Sequence, residues 1–457
     1  MVLRIHRNSE NRIFKVYLLA MFALMIVRYL MKVDVPAVAF LVVSMLPIWW
    51  GTPSEQLAFA ASCIPLSVVF QYKYALLILS VAILVKNRGR VKWSGVLPII
   101  ILMMAWELWH ALYGRFSYVE YLRGFPELLL LGLVTSINLH DVDYKLVIRS
   151  LSISVVGICM IMLIMQLQQF DYDLVAVFIR SAKNFRFGES NMDSGVFALN
   201  FNANNLGFIC NLATCGGLLL IIRKEHHWMD IVLMVCSAAF ALMTLSRAAI
   251  VCMAMIFVGY LLFTRGNVIK KFISGIGGIV LVLLVVIVIE LTLPSVFDNL
   301  TERFQRVDVW NGRGGLLKYY NEYLFSSPLY FLFGIGMQQI YEKVAPYSPV
   351  ADVPHMGLQE VWVAWGLVGL ALFLIMLWRL ITVSKRYAQG KRQIYQFMPL
   401  ALTLVFTMSG QFLTSSRALL ALTVSYICLC VERPAPESEE DTDSCGNTDG
   451  EENAEDL

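Results

Sequence analysis

Arg247 and Arg417 lie in two short, nearly repeated stretches of otherwise apolar sequence. ThrLeuSerArgAlaAlaIle spans 244–250 and holds the only charge between residues 231 and 263, and ThrSerSerArgAlaLeuLeu spans 414–420. Guanidinium groups bind phosphate through paired, fork-shaped hydrogen bonds, which suits an arginine near a membrane surface to hold a diphosphate. The alternative is that each side chain extends to lipid headgroups. We expect Arg247 to bind an anionic ligand and Arg417 to be a structural anchor.

Other basic residues are expected on the same side of the membrane. Arg123 lies at the start of the predicted span 121–138, next to the outer surface, and the others lie in the two hydrophilic segments between apolar runs: Arg186, Arg306, Arg313 and Lys318. Acidic neighbours such as Glu322 are expected to pair with some of them. The remainder form a cationic surface suited to an anionic substrate.

His355 is the histidine best placed for proton transfer. It follows AspValPro at 352–354 and directly precedes an apolar run, where Asp352 is a candidate N-cap. The positive end of a helix dipole disfavours imidazolium, so His355 would stay neutral and able to accept a proton. A solvated interfacial histidine is the other interpretation. GlyIleGly at 334–336 lacks the strand–turn–helix setting of a phosphate loop.

The composition indicates an all-α polytopic membrane protein. Of the 457 residues, 58% are hydrophobic and 15% are charged, whereas soluble domains carry about 25% charged residues. Several apolar runs reach the roughly 20 residues that a bilayer span requires. The nine cysteines form no CxxC pair, which argues against thiol or zinc chemistry. We expect no metal, no cofactor and no nucleic-acid partner.

Hydropathy predicts about 12 to 14 transmembrane helices. The predicted spans are 13–31, 35–50, 57–70, 74–86, 94–112, 121–138, 146–165, 198–222, 229–245, 248–263, 272–293, 357–380, 395–413 and 417–431. A single helix over 231–263 would be about 50 Å long, too long for a hydrocarbon core of ~30 Å. We therefore expect a hairpin that turns near Leu245–Arg247.

Charge placement sets the expected topology. Cytoplasmic loops carry excess Lys and Arg. If 57–86 forms two helices, the basic loops at 86–92, 223–224, 265–271 and 384–392 all share one side with both termini. We therefore expect two helices there, although one broken helix is the alternative.

The same topology places two large hydrophilic loops on the outer, extracytoplasmic face of the membrane. They are 166–197 and 294–356, the second of them preceding the third-last helix. We expect one transmembrane domain over 1–431. Residues 432–457 hold 11 acidic residues and one arginine, a composition typical of a disordered tail, here cytoplasmic.

Four ordered stretches resemble the O-antigen ligase and O-antigen polymerase superfamily. AsnAlaAsnAsnLeuGly at 202–207 is similar to the family's asparagine-rich motif, and SerArgAlaAla at 246–249 to its Ser-Arg-(Gly/Ala) turn. The stretch 312–336 resembles an arginine followed by "P.fGvG", and 355–369 resembles "HN..L......G..G". Met356 departs from this pattern, because asparagine follows the histidine in the ligases.

The resemblance implies a GT-C-like, inverting, metal-independent glycosyltransferase of the bacterial cytoplasmic membrane. It would move a glycan from undecaprenyl diphosphate to an acceptor hydroxyl on the outer face, as a repeat-unit polymerase or a ligase. The implied catalytic residues are His355, Arg247 and Arg313, and the implied substrate-binding residues are Arg123, Arg186, Arg306, Lys318 and Asn205. The missing asparagine favours a polymerase.

The expected partners are the lipid-linked oligosaccharide, the bilayer and other polysaccharide-assembly proteins. The alternatives are a transporter or flippase for a lipid-linked or anionic substrate, and a non-catalytic assembly protein.

Overall fold

A computed structural model describes most of the chain. The described residues are 11–88, 91–93, 95–114, 125–137, 139, 142–173, 176, 187, 197, 199, 201–263, 291, 313–349, 354–384, 394–409 and 416–430. They contain helices and no strands. The protein is an all-α polytopic membrane protein, as its composition predicts. The predicted span 272–293, apart from residue 291, and the tail 432–457 lie outside the described residues.

Described helices occur in each predicted span except 272–293, and two more lie within the predicted outer loop 294–356. The helices are α1 (Arg12–Met25), α2 (Ala37–Met45), α3 (Pro53–Leu66), α4 (Tyr72–Lys86), α5 (Leu97–Gly114), α6 (Pro126–Val134), α7 (Tyr144–Gln169), α8 (Ala203–Ile222), α9 (Trp228–Met243), α10 (Arg247–Phe263), α11 (Arg313–Phe325), α12 (Pro328–Phe333), α13 (Gly357–Ser384), α14 (Met398–Ser409) and α15 (Ser416–Leu429). Short π or 3₁₀ turns extend α1 to Leu30 and α2 to Trp50, and cover Ile340–Val344, Ala345–Tyr347 and Ile394–Phe397. One α-helical turn spans Met337–Gln339.

Four helices of the described part are long and apolar enough to cross a membrane unaided. They are Arg12–Leu30, Tyr144–Gln169, Ala203–Ile222 and Gly357–Ser384. Shorter apolar helices, among them Trp228–Met243 and Arg247–Leu262, accompany them. The long helices α7 and α8 are largely buried by their neighbours, so they form the centre of the bundle.

Both predicted interruptions of apolar sequence occur in the structure. Residues 67–71 separate α3 from α4, so this region is two helices. The apolar run 231–263 turns after Met243, and α10 begins at Arg247. Leu245 lies in the turn with φ 49°, a left-handed conformation that a helix interior excludes.

One end of the bundle, which we call the basic-loop end, gathers the described residues 51–55, 86–88, 91–92, 136–137, 139, 142–149 and 223–230. The backbone N–H of Lys92 donates to Ser136 O (2.8 Å), and that of Asp143 donates to Ser54 Oγ (2.8 Å). The backbone N–H of Phe14 donates to Glu55 Oε1 (3.0 Å). The first described helix therefore starts at this end, beside two of the basic loops.

The other end, which we call the Arg417 end, gathers residues 67–72, 126–127, 201–204, 244–247 and 416–417. Arg417 Nε donates to Ser67 Oγ (2.8 Å), and Tyr72 Oη donates to Glu127 Oε1 (2.8 Å). The chain that follows α13 reaches Tyr395, which lines an apolar cavity together with Ile222 at the basic-loop end. α13 therefore ends near the basic-loop end, and its first residues lie at the Arg417 end.

Candidate functional site

The turn before Arg247 is fixed by side-chain hydrogen bonds. Ser246 Oγ accepts from the backbone N–H of Ala249 (3.3 Å), which caps the first turn of α10. The same hydroxyl donates to Asn204 Oδ1 (2.6 Å) in the first turn of α8. Arg247 therefore starts its helix at a position set by α8.

Small residues bring α8 and α10 into close contact beside this turn. A Cβ atom on Gly207 would lie 2.5 Å from Ala249 Cβ and 2.9 Å from Thr244 Oγ1, so a larger residue would push the helices apart. Asn211 Nδ2 donates to Ala249 O (2.8 Å). The Asn–Leu–Gly and Ser–Arg–Ala stretches thus form one packing unit, although they are about 40 residues apart.

Arg417 lies against the entry to the same helix. Its guanidinium carbon is 4.8 Å from the ring centroid of Phe201, two residues before α8 begins. Its Nε–H bonds Ser67 at the end of α3. Residues 201–204 therefore contact both of the nearly repeated stretches. Phe201 contacts Arg417 of 414–420, and Asn204 contacts Ser246 of 244–250.

His355 lies directly before the first turn of α13. Pro354 is buried and His355 is partly exposed. Gln359 in the first turn donates to Leu317 O and to Asn321 Oδ1 of α11, both at 2.9 Å. These bonds hold the helix that carries Arg313 and Lys318 against the helix that follows His355.

The helical conformation of α13 is interrupted at Gly366, and residues 334–336 hydrogen-bond to the backbone there. We call this contact between 334–336 and 363–366 the joint. Gly366 has φ 65°. The carbonyls of Val363 and Ala364 accept from the backbone N–H groups of Ile335 (3.1 Å) and Gly336 (2.7 Å). Because irregular backbone in a membrane domain needs internal hydrogen-bond partners, this pairing accounts for GlyIleGly. Ile335 and Gly336 use their N–H groups within the protein rather than on a phosphate.

Glycine is required where these backbones meet. A Cβ on Gly366 would lie 2.3 Å from Leu332 O, and a Cβ on Gly334 would lie 2.5 Å from Ala364 O. Both glycines have positive φ, which L-residues adopt at a cost. Gly334 of the "GvG" pattern and Gly366 of the "G..G" pattern therefore allow the two backbones to approach each other at the joint.

Two polar residues of α5, Glu107 and His110, hydrogen-bond to the joint. The sequence analysis did not single out either of them. Glu107 is buried and accepts from Trp365 Nε1 (2.7 Å) and from the backbone N–H of Met337 (3.0 Å). His110 Nε2 bonds Phe333 O (2.9 Å). The available signal was a glutamate and a histidine three residues apart in an apolar run, which puts both on one helix face.

Aromatic side chains cover the surface where α11 meets α12. The rings of Tyr323 and Tyr330 are stacked at 5.2 Å. Burial and the neighbouring Tyr330 raise the pKa of Tyr323 to about 12, so the phenol is neutral near pH 7. These rings offer flat surfaces for sugars or for the membrane interface.

The structure describes some of the predicted site residues. Asn205 is partly buried in the first turn of α8, at the same end as Arg247. Lys318 is 78% exposed and pairs with Glu322 (3.8 Å). Arg313 is the first residue of α11. Arg123, Arg186, Arg306 and Asp352 lie outside the described residues.

Comparison with known families gives a match over the central part of the chain. Residues 232–374 match the family described as O-Antigen ligase. This match confirms the resemblance to the O-antigen ligase superfamily. The matched segment contains Arg247, Arg313 and His355, whereas Asn205 and Arg417 lie outside it. No curated protein matches the chain significantly.

Proposed function

We propose, from the segment that matches the O-antigen ligase family, that the protein transfers a glycan from a polyprenyl-diphosphate-linked donor to an acceptor hydroxyl. The reaction would take place on the outer face of a bacterial cytoplasmic membrane. It would extend or attach an O-antigen, capsule or exopolysaccharide chain. The observation that carries the proposal is that one matched segment holds Arg247, Arg313 and His355.

The arginines are proposed to stabilise the leaving group. When the bond between the anomeric carbon and the diphosphate oxygen breaks, its electron pair stays on the diphosphate. Fixed guanidinium groups that face those oxygens lower the barrier because charge develops there. Arg247 is supported in this role by its place at the first turn of α10, where the helix dipole is also positive.

His355 is proposed as the general base. The acceptor oxygen attacks the anomeric carbon and inverts it, and the hydroxyl proton passes to the imidazole. This role needs no metal ion or cofactor, because arginines supply the positive charge. Its support is the partly exposed position of His355 before α13, at the end of the bundle that also holds Arg247.

A transporter or flippase is the less favoured function. Such a protein would need ionisable groups along a path through the membrane. Glu107 is one of the buried carboxylates in the described part, and it accepts hydrogen bonds from Trp365 and Met337. These contacts support a structural role for Glu107 in the joint between α5 and α13.

The proposal is tested with purified protein and an undecaprenyl-diphosphate oligosaccharide, by measuring glycan transfer and release of the lipid diphosphate. We expect transfer by the wild-type protein and loss of most of it in Arg247→Lys, because lysine keeps the charge but lacks the planar fork. Asn211→Ala, which alters the packing of α8 on α10, is the matched control for folding near Arg247. Absence of transfer to both lipid-linked repeat units and lipid A-core acceptors would refute the proposal.

The proposed orientation has its own test. Tyr347 is 78% exposed between α12 and α13, and Trp228 is 63% exposed at the basic-loop end. With cysteine at either position in a cysteine-free background, an impermeant maleimide should label position 347 in intact cells. Position 228 should react only after the membrane is opened. The reverse pattern would place the site on the cytoplasmic side.

A further inference from the structure

Arg417 has an unusual environment for an arginine within the helical bundle. Its side chain is only partly exposed. Among the described residues, Nε–H bonds the Ser67 hydroxyl, the guanidinium lies over the Phe201 ring, and no carboxylate is within ion-pair distance. A serine hydroxyl and an aromatic face orient a guanidinium, but neither neutralises its charge.

A buried acidic group, Glu127, is linked to Arg417 only through a tyrosine. Tyr72 lies close enough to act on Arg417 electrostatically. The Tyr72 hydroxyl donates to Glu127 Oε1 (2.8 Å). Glu127 is therefore hydrogen-bonded to the residue beside Arg417 and not to Arg417 itself.

The surrounding backbone adds positive charge. α15 begins at Ser416, so Arg417 is in its first turn, and α8 begins two residues after Phe201. Unpaired N–H groups make each helix start partly positive. Two helix starts and one guanidinium thus meet at a place where, among the described residues, no carboxylate contacts the guanidinium directly.

From these contacts we propose that Arg417 is not a structural anchor but contacts a phosphate of the polyprenyl-diphosphate substrate. Ser67 and Phe201 hold the guanidinium so that its Nη groups face the bound lipid. This inference rests on the proposed function. It adds a ligand-contacting residue outside the segment that matches the O-antigen ligase family, and it gives the second copy of the Ser-Arg-Ala stretch a role.

The test measures binding of undecaprenyl diphosphate without a sugar, so it does not depend on transfer. Arg417→Gln should weaken binding about 10–100-fold, the loss expected for charge-assisted hydrogen bonds. Arg417→Lys should fold and bind about tenfold more weakly. Arg28→Lys is the matched control, because Arg28 bonds Val35 O (2.9 Å) and lies 5.9 Å from the Phe40 ring. It should bind as the wild type does.

Three results would overturn the inference. The first is normal binding in folded Arg417→Lys or Arg417→Gln. The second is restoration of binding in Arg417→Gln by Glu127→Gln, which would show that Arg417 only balances the Glu127–Tyr72 pair. The third is equal competition by phosphatidylglycerol, which would assign the site to bulk lipid.

The proposed glycan transfer and the proposed binding role of Arg417 can be refuted separately. If the wild type transfers no glycan but Arg417→Gln loses undecaprenyl-diphosphate binding, the proposed function is wrong and the binding role stands. If transfer occurs and both Arg417 variants bind normally, the function stands and the binding role is wrong.

Discussion

At the basic-loop end, Arg149 and Arg223 each meet a carboxylate, whereas at the Arg417 end Arg417 meets a hydroxyl and an aromatic ring. Arg149 holds Asp230 through two nitrogens, at 2.9 Å and 2.8 Å. Arg223 pairs with Glu225 (3.1 Å). Arg417 has only Ser67 and Phe201 among its described contacts.

The difference separates two uses of the same side chain. A charge that is neutralised within the protein serves the fold, because the pair stabilises the packing of α7 against α8 and α9. A charge that is oriented but not neutralised is suited to an external anion. The site of reaction is therefore expected at the Arg417 end, and variants at the two ends should change different quantities.

The largest effect on turnover is expected at His355. His355→Ala should lower turnover about 10²–10⁴-fold, the usual contribution of general acid–base catalysis. Undecaprenyl-diphosphate binding should stay near the wild-type value, because arginines meet the charge of the lipid. Single-turnover assays and separate binding measurements distinguish the two. Near-normal turnover would remove His355 from the mechanism.

The largest effect on stability is expected at Asp230. Asp230→Ala leaves Arg149 without its partner, which costs about 1–2 kcal/mol, less than a fully buried pair because Arg149 is 34% exposed. Thermal unfolding in detergent measures the loss. Arg149→Met combined with Asp230→Ala should recover part of it. Turnover per folded molecule should not change, and a specific loss of turnover would place chemistry at the basic-loop end.

A smaller, pH-dependent effect is expected at Glu225. Burial acts to raise its pKa, but the hydrogen bond from Tyr144 and the charges of Arg223 and Lys145 outweigh burial, so the pKa lies below its ordinary value. The stability from this carboxylate is therefore present above its unfolded pKa and is lost as the pH falls through the folded value. Glu225→Gln should be less stable at pH 7 and should lose less stability on acidification. Identical acid unfolding curves would contradict the pairing.

The smallest effect is expected at Lys318. Its pair with Glu322 is exposed, so Lys318→Ala should change stability by no more than about 0.5 kcal/mol. If Lys318 also attracts the donor, binding should weaken a fewfold at low salt, and the difference should disappear at high salt because exposed charges are screened. Unchanged binding at low salt would leave Lys318 with only its surface pair.

The helix order and the turns were predictable from the sequence because they depend on local length and charge. The apolar run over 231–263 exceeds the membrane thickness, so it has to turn, and it turns at Leu245. The two helices α3 and α4 followed from the side on which basic loops must lie. Both inferences need only the spacing of residues along the chain.

The joint at Gly366 was not predictable, because its hydrogen-bond partners are distant in sequence. A glycine within a helix costs only about 1 kcal/mol relative to alanine, so the sequence did not indicate a break. The break is stabilised by Ile335, Gly336 and Trp106, and Trp106 is 259 residues from its acceptor Trp365. Similarly, the sequence placed Arg417 at a helix turn but did not show that Ser67 and Phe201 would surround it.

Photo-crosslinking locates the bound lipid diphosphate most directly. A polyprenyl diphosphate with a photoreactive group beside its phosphates is bound to the purified protein, and the adducts are mapped by mass spectrometry with excess unlabelled lipid as the control. The crosslinks that excess unlabelled lipid suppresses should concentrate within residues 201–204, 246–247 and 416–417. Suppressed crosslinks concentrated within 143–149 and 223–230 would contradict the assignment of the substrate site to the Arg417 end.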